Sequence, residues 1–126
     1  ALVCWELVFN DTFTNRVKGT NYIIHMSNDS WYGDGMAEQH LKHARMRAVE
    51  SNKWVVRSTV DGISQIISPR PEESSEKLNK KSKGSLTHTI TLNNTDTFYV
   101  KYGDLPLLIV SFLFLVLGVI NRRYEN

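Results

Sequence analysis

Apolar and polar residues repeat with two different periods along the first part of the chain, and this pattern predicts a mixed α/β domain. Short apolar or alternating runs predict strands, and apolar residues three or four positions apart predict helices. The strands are expected over residues 1–3, 21–26, 54–59 and 63–68, and the helices over residues 7–18 and 38–51. This order of elements, with the Asp61-Gly62 pair as a strong hairpin signal, indicates an α/β layered fold.

The helical periods also predict which side chains face the core. In the first helix, three residues at i, i+4 and i+8 should share a buried face: Phe9, Phe13 and Val17. In the second helix, four residues should point inward: Leu41, Ala44, Ala48 and Val49.

Two further segments follow the hairpin. Residues 69–84 include eight charged residues among sixteen, with Leu78 as the only large apolar one, which predicts a solvated, mobile loop. Residues 86–92 alternate between apolar and polar types, which predicts a half-buried strand.

The C-terminal apolar run, residues 105–120, predicts a transmembrane helix. Sixteen residues span only about 24 Å as a helix, against roughly 30 Å of bilayer hydrocarbon, so a buried core helix is the alternative. The flanking residues favour the membrane: Pro106 suits a first turn, Tyr102 and Tyr124 suit the interfaces, and Arg122 and Arg123 can extend towards water. The two arginines also predict that residues 121–126 form a cytoplasmic tail and that residues 1–104 lie outside.

Composition narrows the function classes. The chain has 126 residues, a net charge of +2 and a single cysteine, Cys4. We therefore expect one domain, no nucleic-acid partner, no internal disulfide and no Cys-rich zinc site. Because the sequence starts with Ala inside an apparent strand, we expect the chain to be the C-terminal piece of something longer.

Cys4 is the first candidate for chemistry, because it lies where a strand ends and a helix begins. The positive end of a helix favours a thiolate, although a nucleophilic thiol also needs a nearby base or cation. Without further information, a lone cysteine is more often a small buried apolar residue. His40 and His43 could share a metal but lack a third ligand, so a solvated helix face is the better interpretation.

An ordered set of short motifs resembles the nitrilase-like domain of bacterial apolipoprotein N-acyltransferases, in the nitrilase (carbon-nitrogen hydrolase) superfamily. The motifs are Cys4-Trp5-Glu6, residues 27–33 (SNDSWYG), residues 39–50 (QHLKHARMRAVE), residues 57–64 (RSTVDGIS) and residues 102–106 (YGDLP). The likeness covers nearly the whole chain except residues 69–84, and the terminal apolar run sets it apart from soluble nitrilases.

The resemblance implies a fold and a catalytic site. It implies the C-terminal half of an αββα sandwich over residues 1–104 and a Glu–Lys–Cys triad, with the Glu and Lys upstream of the nucleophile. Cys4 matches the nucleophile, Glu6 matches a second glutamate beside it, and the backbone N–H of Trp5 matches an oxyanion donor. The family usually has Tyr at the position of Trp5, and Asp61 stands where Asn or Thr is commoner.

The activity implied is acyl transfer at the bacterial inner membrane, with the domain on the periplasmic face. Cys4 would accept a fatty acyl group from a membrane phospholipid and pass it to the α-amine of a lipidated apolipoprotein, with no cofactor and no metal. Trp31 and Tyr32 are candidates for acyl-chain contact, with ordinary core packing as their alternative. Two other functions stay open: a membrane-tethered amidase or nitrilase with water as acceptor, and a non-catalytic fragment that only binds.

Overall fold

A computed structural model of the chain describes residues 1–124, apart from the side chains of Asp34, Arg123 and Tyr124. The end of the predicted cytoplasmic tail, residues 125–126, therefore lies outside the described residues, as do the side chains of Arg123 and Tyr124 that were expected to flank the membrane.

The described residues confirm an α/β fold. Two 3₁₀ turns cover Cys4–Leu7 and Pro71–Glu73. The strands and α-helices are β1 (Leu2–Val3), α1 (Asn10–Val17), β2 (Ile23–Asn28), α2 (Asp34–Ser51), β3 (Val55–Val60), β4 (Gln65–Ile67), α3 (Phe98–Tyr102) and α4 (Leu105–Tyr124).

One sheet with strand order β1-β2-β3-β4 organises the domain, and the first three strands are parallel. β4 returns antiparallel to β3, which confirms the predicted hairpin. The register places His25 opposite both Leu2 and Arg57, and Arg57 opposite Gln65. A row of four buried residues thus crosses the sheet, and three of them are polar.

α2 packs on the sheet through its small residues. Leu41, Ala44 and Ala48 are completely buried, as predicted. The prediction for Val49 is wrong: its side chain is 55% exposed, and Arg47 is buried instead. The physical reason is the helical period, because the buried stripe advances by three or four residues and position 49 lies about 100° away from position 48.

The first predicted helix is interrupted. Residues 4–7 form a 3₁₀ turn, and α1 starts only at Asn10. Phe9 precedes α1 with an extended backbone, so its side chain leaves the helical face and is 61% exposed, against the prediction. Phe13 and Val17 are buried as predicted.

The charged segment is more ordered along the sheet edge than its composition indicates. Leu78 forms a β-bridge with Ser64, and the Ser75 amide donates to the carbonyl of Ile66. An edge strand presents unpaired backbone groups, and this segment satisfies those of β4. The charged residues around these contacts are largely exposed, as expected for a solvated loop.

The predicted strand over residues 86–92 is wrong, because these residues form no ladder. The segment at residues 74–78 already occupies the outer edge of β4. Residues 86–92 therefore have no free strand edge there to pair with, although their residue types alternate. The chain is instead fixed just beyond, where the fully buried Lys53 ammonium lies 3.2 Å from a carboxylate oxygen of Asp96.

α4 is longer than the predicted span. Its 20 residues extend about 30 Å, enough for the hydrocarbon of a bilayer. By length and composition, Leu105–Arg122 could cross a membrane, and none of it is buried against the rest of the described chain. It is therefore not a core helix of the described domain.

The face of the sheet opposite α2 is partly bare. Alternate residues of the strands point there, and four apolar side chains remain substantially exposed: Val3, Ile24, Met26 and Val60. A contiguous apolar sheet face is normally covered by another layer.

Candidate functional site

Cys4 occupies a strained position at the junction of β1 and the first 3₁₀ turn. Its φ is +51°, in the left-handed region that costs a residue with a Cβ roughly 1–2 kcal/mol. The thiol is free and half-buried. Sharp strand-to-helix turns of this kind present a nucleophile at the end of a sheet, and strain of this kind is concentrated at functional sites.

A buried histidine holds the backbone of this turn. Nε2 of His25 lies 3.1 Å from the carbonyl oxygen of Cys4, and Nη1 of Arg57 lies 2.7 Å from Nδ1 of the same ring. A guanidinium can only donate, so Nδ1 must accept. The ring proton therefore sits on Nε2, which donates to the Cys4 carbonyl.

Asp29 anchors the histidine and arginine from the turn after β2. Its carboxylate accepts from Nη2 of Arg57 at 2.9 Å, from the hydroxyl of Ser27 at 2.6 Å and from Nδ1 of His40 at 2.9 Å. The side chains of Asp29 and Arg57 are both inaccessible to solvent. Gly62 in the hairpin loop is required for this packing, because a Cβ there would lie 2.3 Å from the Asp29 carboxylate.

The charge states in this cluster follow from burial and pairing. Burial, and after it the positive charge of Arg57, lowers the pKa of His25 to about 4, so the ring is neutral at pH 7. For Asp29, burial favours the neutral acid, but hydrogen bonds from Ser27 and His40 and the charge of Arg57 outweigh it and lower the pKa. Asp29 is thus a carboxylate, Arg57 a guanidinium and His25 a neutral imidazole.

An aromatic group lies beside the turn. The indole N–H of Trp5 donates to the Tyr32 hydroxyl at 2.6 Å. The His40 ring packs edge-on against both rings, at centroid distances of 5.0 Å from Trp5 and 5.6 Å from Tyr32. Nε2 of His40 is buried and has no hydrogen-bond partner among the described residues.

Glu6 supports the turn from its exposed side. One carboxylate oxygen accepts from the Val3 amide at 2.9 Å, and the other lies 2.9 Å from Nη2 of Arg16. A carboxylate that reaches back to the amide before its own turn stabilises the start of that turn. The Glu6 carboxylate therefore stabilises the turn that contains Cys4.

Arg47 holds the other end of the turn. Arg47 belongs to α2, and its side chain is buried. Its guanidinium donates to the carbonyls of Leu7 at 2.8 Å and Val8 at 2.6 Å. It also donates to Oδ1 of Asn10, whose amide group in turn donates to Asp104, the residue before α4. The turn after Cys4 is thus linked to the start of the apolar helix.

The predicted site residues are only partly brought together. Cys4, Trp5 and Glu6 share one turn, and Tyr32 contacts it through Trp5. Trp31 is 83% exposed, so it does not pack in the core of the described domain. Tyr32 is half-buried.

His40 is not on a solvated helix face, contrary to expectation, since it is buried against Asp29, while His43 is half-buried. The described residues contain no cluster of His, Cys, Asp or Glu that could hold a metal.

The sequence analysis assigned no role in the site to the three residues that hold the Cys4 turn. His25, Arg57 and Arg47 are polar, yet the sequence periods place each of them on an inward face: His25 alternates with Ile23, and Arg57 with Val55. A charged or imidazole side chain at an inward position of a strand was the available signal, because such groups are buried only with partners.

Comparison with known proteins now identifies the family. The family model described as carbon-nitrogen hydrolase matches residues 1–99. The chain belongs to the carbon-nitrogen hydrolase family. The resemblance to the nitrilase superfamily is thereby confirmed, and with it the α/β fold of that family.

Several curated relatives are named apolipoprotein N-acyltransferase. The protein of Wigglesworthia glossinidia brevipalpis is 37% identical over 92% of this chain and 23% of its own length. Those of Shewanella oneidensis and Haemophilus influenzae are 32% and 34% identical over 98% and 91% of this chain, and over 24% and 22% of their own lengths. The chain thus spans about a quarter of the length of the curated relatives it matches.

The neutral buried ring of His25 predicts a pH dependence of stability. In the unfolded chain this ring binds a proton near pH 6.5, but in the folded chain only near pH 4. The free energy of unfolding should therefore rise between pH 4 and pH 6.5, by up to about 3 kcal/mol from this group, and gain nothing more from it above that range. Denaturant unfolding of the full-length protein in detergent, from pH 4 to pH 8, measures this slope.

His25→Gln is the matched control, because it removes the titrating ring but keeps a donor. The contribution of His25 to the rise in unfolding free energy between pH 4 and pH 6.5 should be absent in this variant. A slope that is identical in both proteins would show that His25 is not held neutral by the fold.

Proposed function

We propose that the chain contributes the nucleophile turn of an apolipoprotein N-acyltransferase. Cys4 would accept a fatty acyl group from a membrane phospholipid and transfer it to the α-amine of the lipidated N-terminal cysteine of a lipoprotein. The observation that carries this proposal is the only cysteine of the chain, at positive φ on a strand-to-turn junction, in a carbon-nitrogen hydrolase whose relatives carry that name.

The chemistry balances in two steps. The Cys4 sulfur attacks the ester carbonyl of the phospholipid, a C–S bond forms, the ester C–O bond breaks, and the lysophospholipid leaves with the thiol proton. The amine of the acceptor then attacks the thioester, an amide C–N bond forms, the C–S bond breaks, and the thiol regains a proton from the amine. Both steps pass through a tetrahedral oxyanion that needs hydrogen-bond donors.

Residues of the turn suit these needs. The Trp5 amide belongs to the first turn after Cys4, where backbone N–H groups have no partner within the turn, and we assign it as an oxyanion donor. Glu6 would keep the turn in shape through Val3 and Arg16. The general base and a lysine of the triad would come from upstream sequence, as the family resemblance implies.

Trp31 suits contact with an acyl chain. A large aromatic side chain that is 83% exposed beside a half-buried tyrosine leaves apolar surface available to a lipid. The Tyr32 hydroxyl accepts from the indole N–H of Trp5 and would thereby fix the orientation of the Trp5 side chain beside Cys4.

α4 would hold the domain at the bilayer where both substrates reside. We propose residues 1–104 as the C-terminal half of the nitrilase-like domain, residues 105–120 as the membrane-buried segment and residues 121–126 as a cytoplasmic tail of a protein in the bacterial inner membrane. Tethering the nucleophile to the membrane raises the effective concentration of membrane-held substrates at Cys4. The bare face of the sheet would be covered by the other half of the sandwich.

An acyl adduct on Cys4 tests the acyl-transfer proposal. The full-length protein in detergent is incubated with a phospholipid carrying a labelled acyl chain, and the Cys4 peptide is examined by mass spectrometry. We expect a hydroxylamine-labile adduct on Cys4 and none in the Cys4→Ser variant. A labelled protein with a bare Cys4 thiol would remove Cys4 from the mechanism.

The acceptor is decided by a chase with two peptides that start with a diacylglyceryl cysteine, one with a free α-amine and one with an acetylated amine. The adduct should move to the free amine and persist with the acetylated peptide. Equal loss with both peptides would identify water as the acceptor and a hydrolase as the better description.

The membrane topology is tested with single cysteines on either side of α4. In a background with all native cysteines replaced by serine, Lys101→Cys should react with a membrane-impermeant maleimide in intact spheroplasts. Asn121→Cys should react only after permeabilisation, because the hydrocarbon separates it from the outside. Equal labelling of both variants before permeabilisation would contradict a spanning helix.

A further inference from the structure

We propose that Asp29, Arg57 and His25 form a positioning relay that aims the backbone N–H of Trp5 at the oxyanion. The proposal rests on the proposed function only in taking Cys4 as a nucleophile that forms a tetrahedral adduct. The three residues contact no reacting atom and act through the peptide unit between Cys4 and Trp5.

The relay is continuous and directional. Asp29 accepts from Nη2 of Arg57 at 2.9 Å, and Nη1 of Arg57 donates to Nδ1 of His25 at 2.7 Å. His25 then donates from Nε2 to the carbonyl of Cys4 at 3.1 Å. Each bond has only one possible direction once the carboxylate and guanidinium are charged, so the ring tautomer cannot invert.

The last bond matters because a peptide unit is planar. The carbonyl of Cys4 and the amide N–H of Trp5 belong to the same trans unit, and they point in opposite directions. A donor that fixes the carbonyl therefore fixes the direction of the N–H as well. In a turn with φ of +51° at Cys4, this bond opposes the rotation that would relax the strain.

The rest of the cluster limits the freedom of Asp29. Ser27 and His40 also donate to its carboxylate, and Gly62 approaches so closely that no side chain fits between them. The His40 ring packs against Trp5, so the same carboxylate also supports the Trp5 side chain. Asp29 is thus linked to the turn in two ways, through Arg57 and His25 and, separately, through His40.

A purely structural role would not need this arrangement. A buried ion pair is often replaced by apolar residues of equal volume without loss of stability. What apolar residues cannot supply is a donor at the Cys4 carbonyl. The relay therefore predicts a specific defect in reactions that form an oxyanion.

Two reactions of the same thiol separate the possibilities. Acylation of Cys4 by an activated ester forms a tetrahedral oxyanion, whereas alkylation by iodoacetamide is a direct displacement that forms none. Both are followed by intact mass on the full-length protein in detergent, and neither depends on phospholipid or lipoprotein as substrate. Failure of the acyl-transfer proposal would therefore leave this test unaffected.

His25→Leu and His25→Gln are the informative pair. Leucine removes the donor, and we expect acylation to slow by about 10- to 100-fold while alkylation changes less than about twofold. This loss is smaller than the roughly 100- to 1000-fold seen when an oxyanion donor itself is removed, because the Trp5 N–H remains and only its direction is freed. Glutamine can accept from Arg57 through its amide oxygen and donate to the Cys4 carbonyl through its nitrogen, so acylation should recover. Lys42→Ala, on the exposed side of α2, is the control and should change neither rate.

Two results would overturn the proposal. One is an equal loss of acylation and alkylation in folded His25→Leu, which would place the effect on the thiol itself. The other is unchanged acylation in that variant. If thermal unfolding shows that His25→Leu is not folded, Ser27→Ala takes its place, since it removes one hydrogen bond to Asp29. The same selective loss of acylation, smaller in size, is then expected, and an unselective or absent effect contradicts the relay.

Discussion

The ion pair between Asp29 and Arg57 is the constraint on which the site depends. Both side chains are inaccessible to solvent, and two charges in such a place cost several kcal/mol each in lost hydration. The cost is offset because almost every polar atom is used: Asp29 accepts from three side chains, and Arg57 also donates to the carbonyl of Ile63. Removing one partner would leave the other charged and unpaired in the core.

This pair connects elements that are distant in sequence. It joins the turn after β2 to the middle of β3, and through His25 and His40 it reaches the Cys4 turn and α2. A second arginine, Arg47, holds the far end of the same turn and leads through Asn10 and Asp104 to α4. The candidate nucleophile is thus held at both ends, and one of these ends is linked to the apolar helix.

The four strands of the sheet, the hairpin and the existence of α4 could be predicted because each depends on local periodicity. The break at residues 8 and 9 depends on how α1 meets the sheet, which a local pattern does not contain. The exposure of Val49 follows from the helical period once Leu41, Ala44 and Ala48 face the sheet. The strand expected over residues 86–92 failed for a related reason, since a strand needs an unoccupied edge. Cys4 could be proposed as the nucleophile from its motif, whereas the relay could not be predicted, because the strand register brings its members together.

Nitrogen-15 NMR of the His25 ring tests most directly whether the relay holds the Cys4 turn. The full-length protein would carry ¹⁵N-labelled histidine, and the His25 signals would be assigned by their loss in His25→Gln. At pH 7 we expect a neutral ring with its proton on Nε2, because Arg57 occupies Nδ1 and the pKa is about 4. A neutral ring with its proton on Nδ1 would mean that the Cys4 carbonyl has no donor, and a protonated ring would mean that Nδ1 does not accept from Arg57. Either result would contradict the relay.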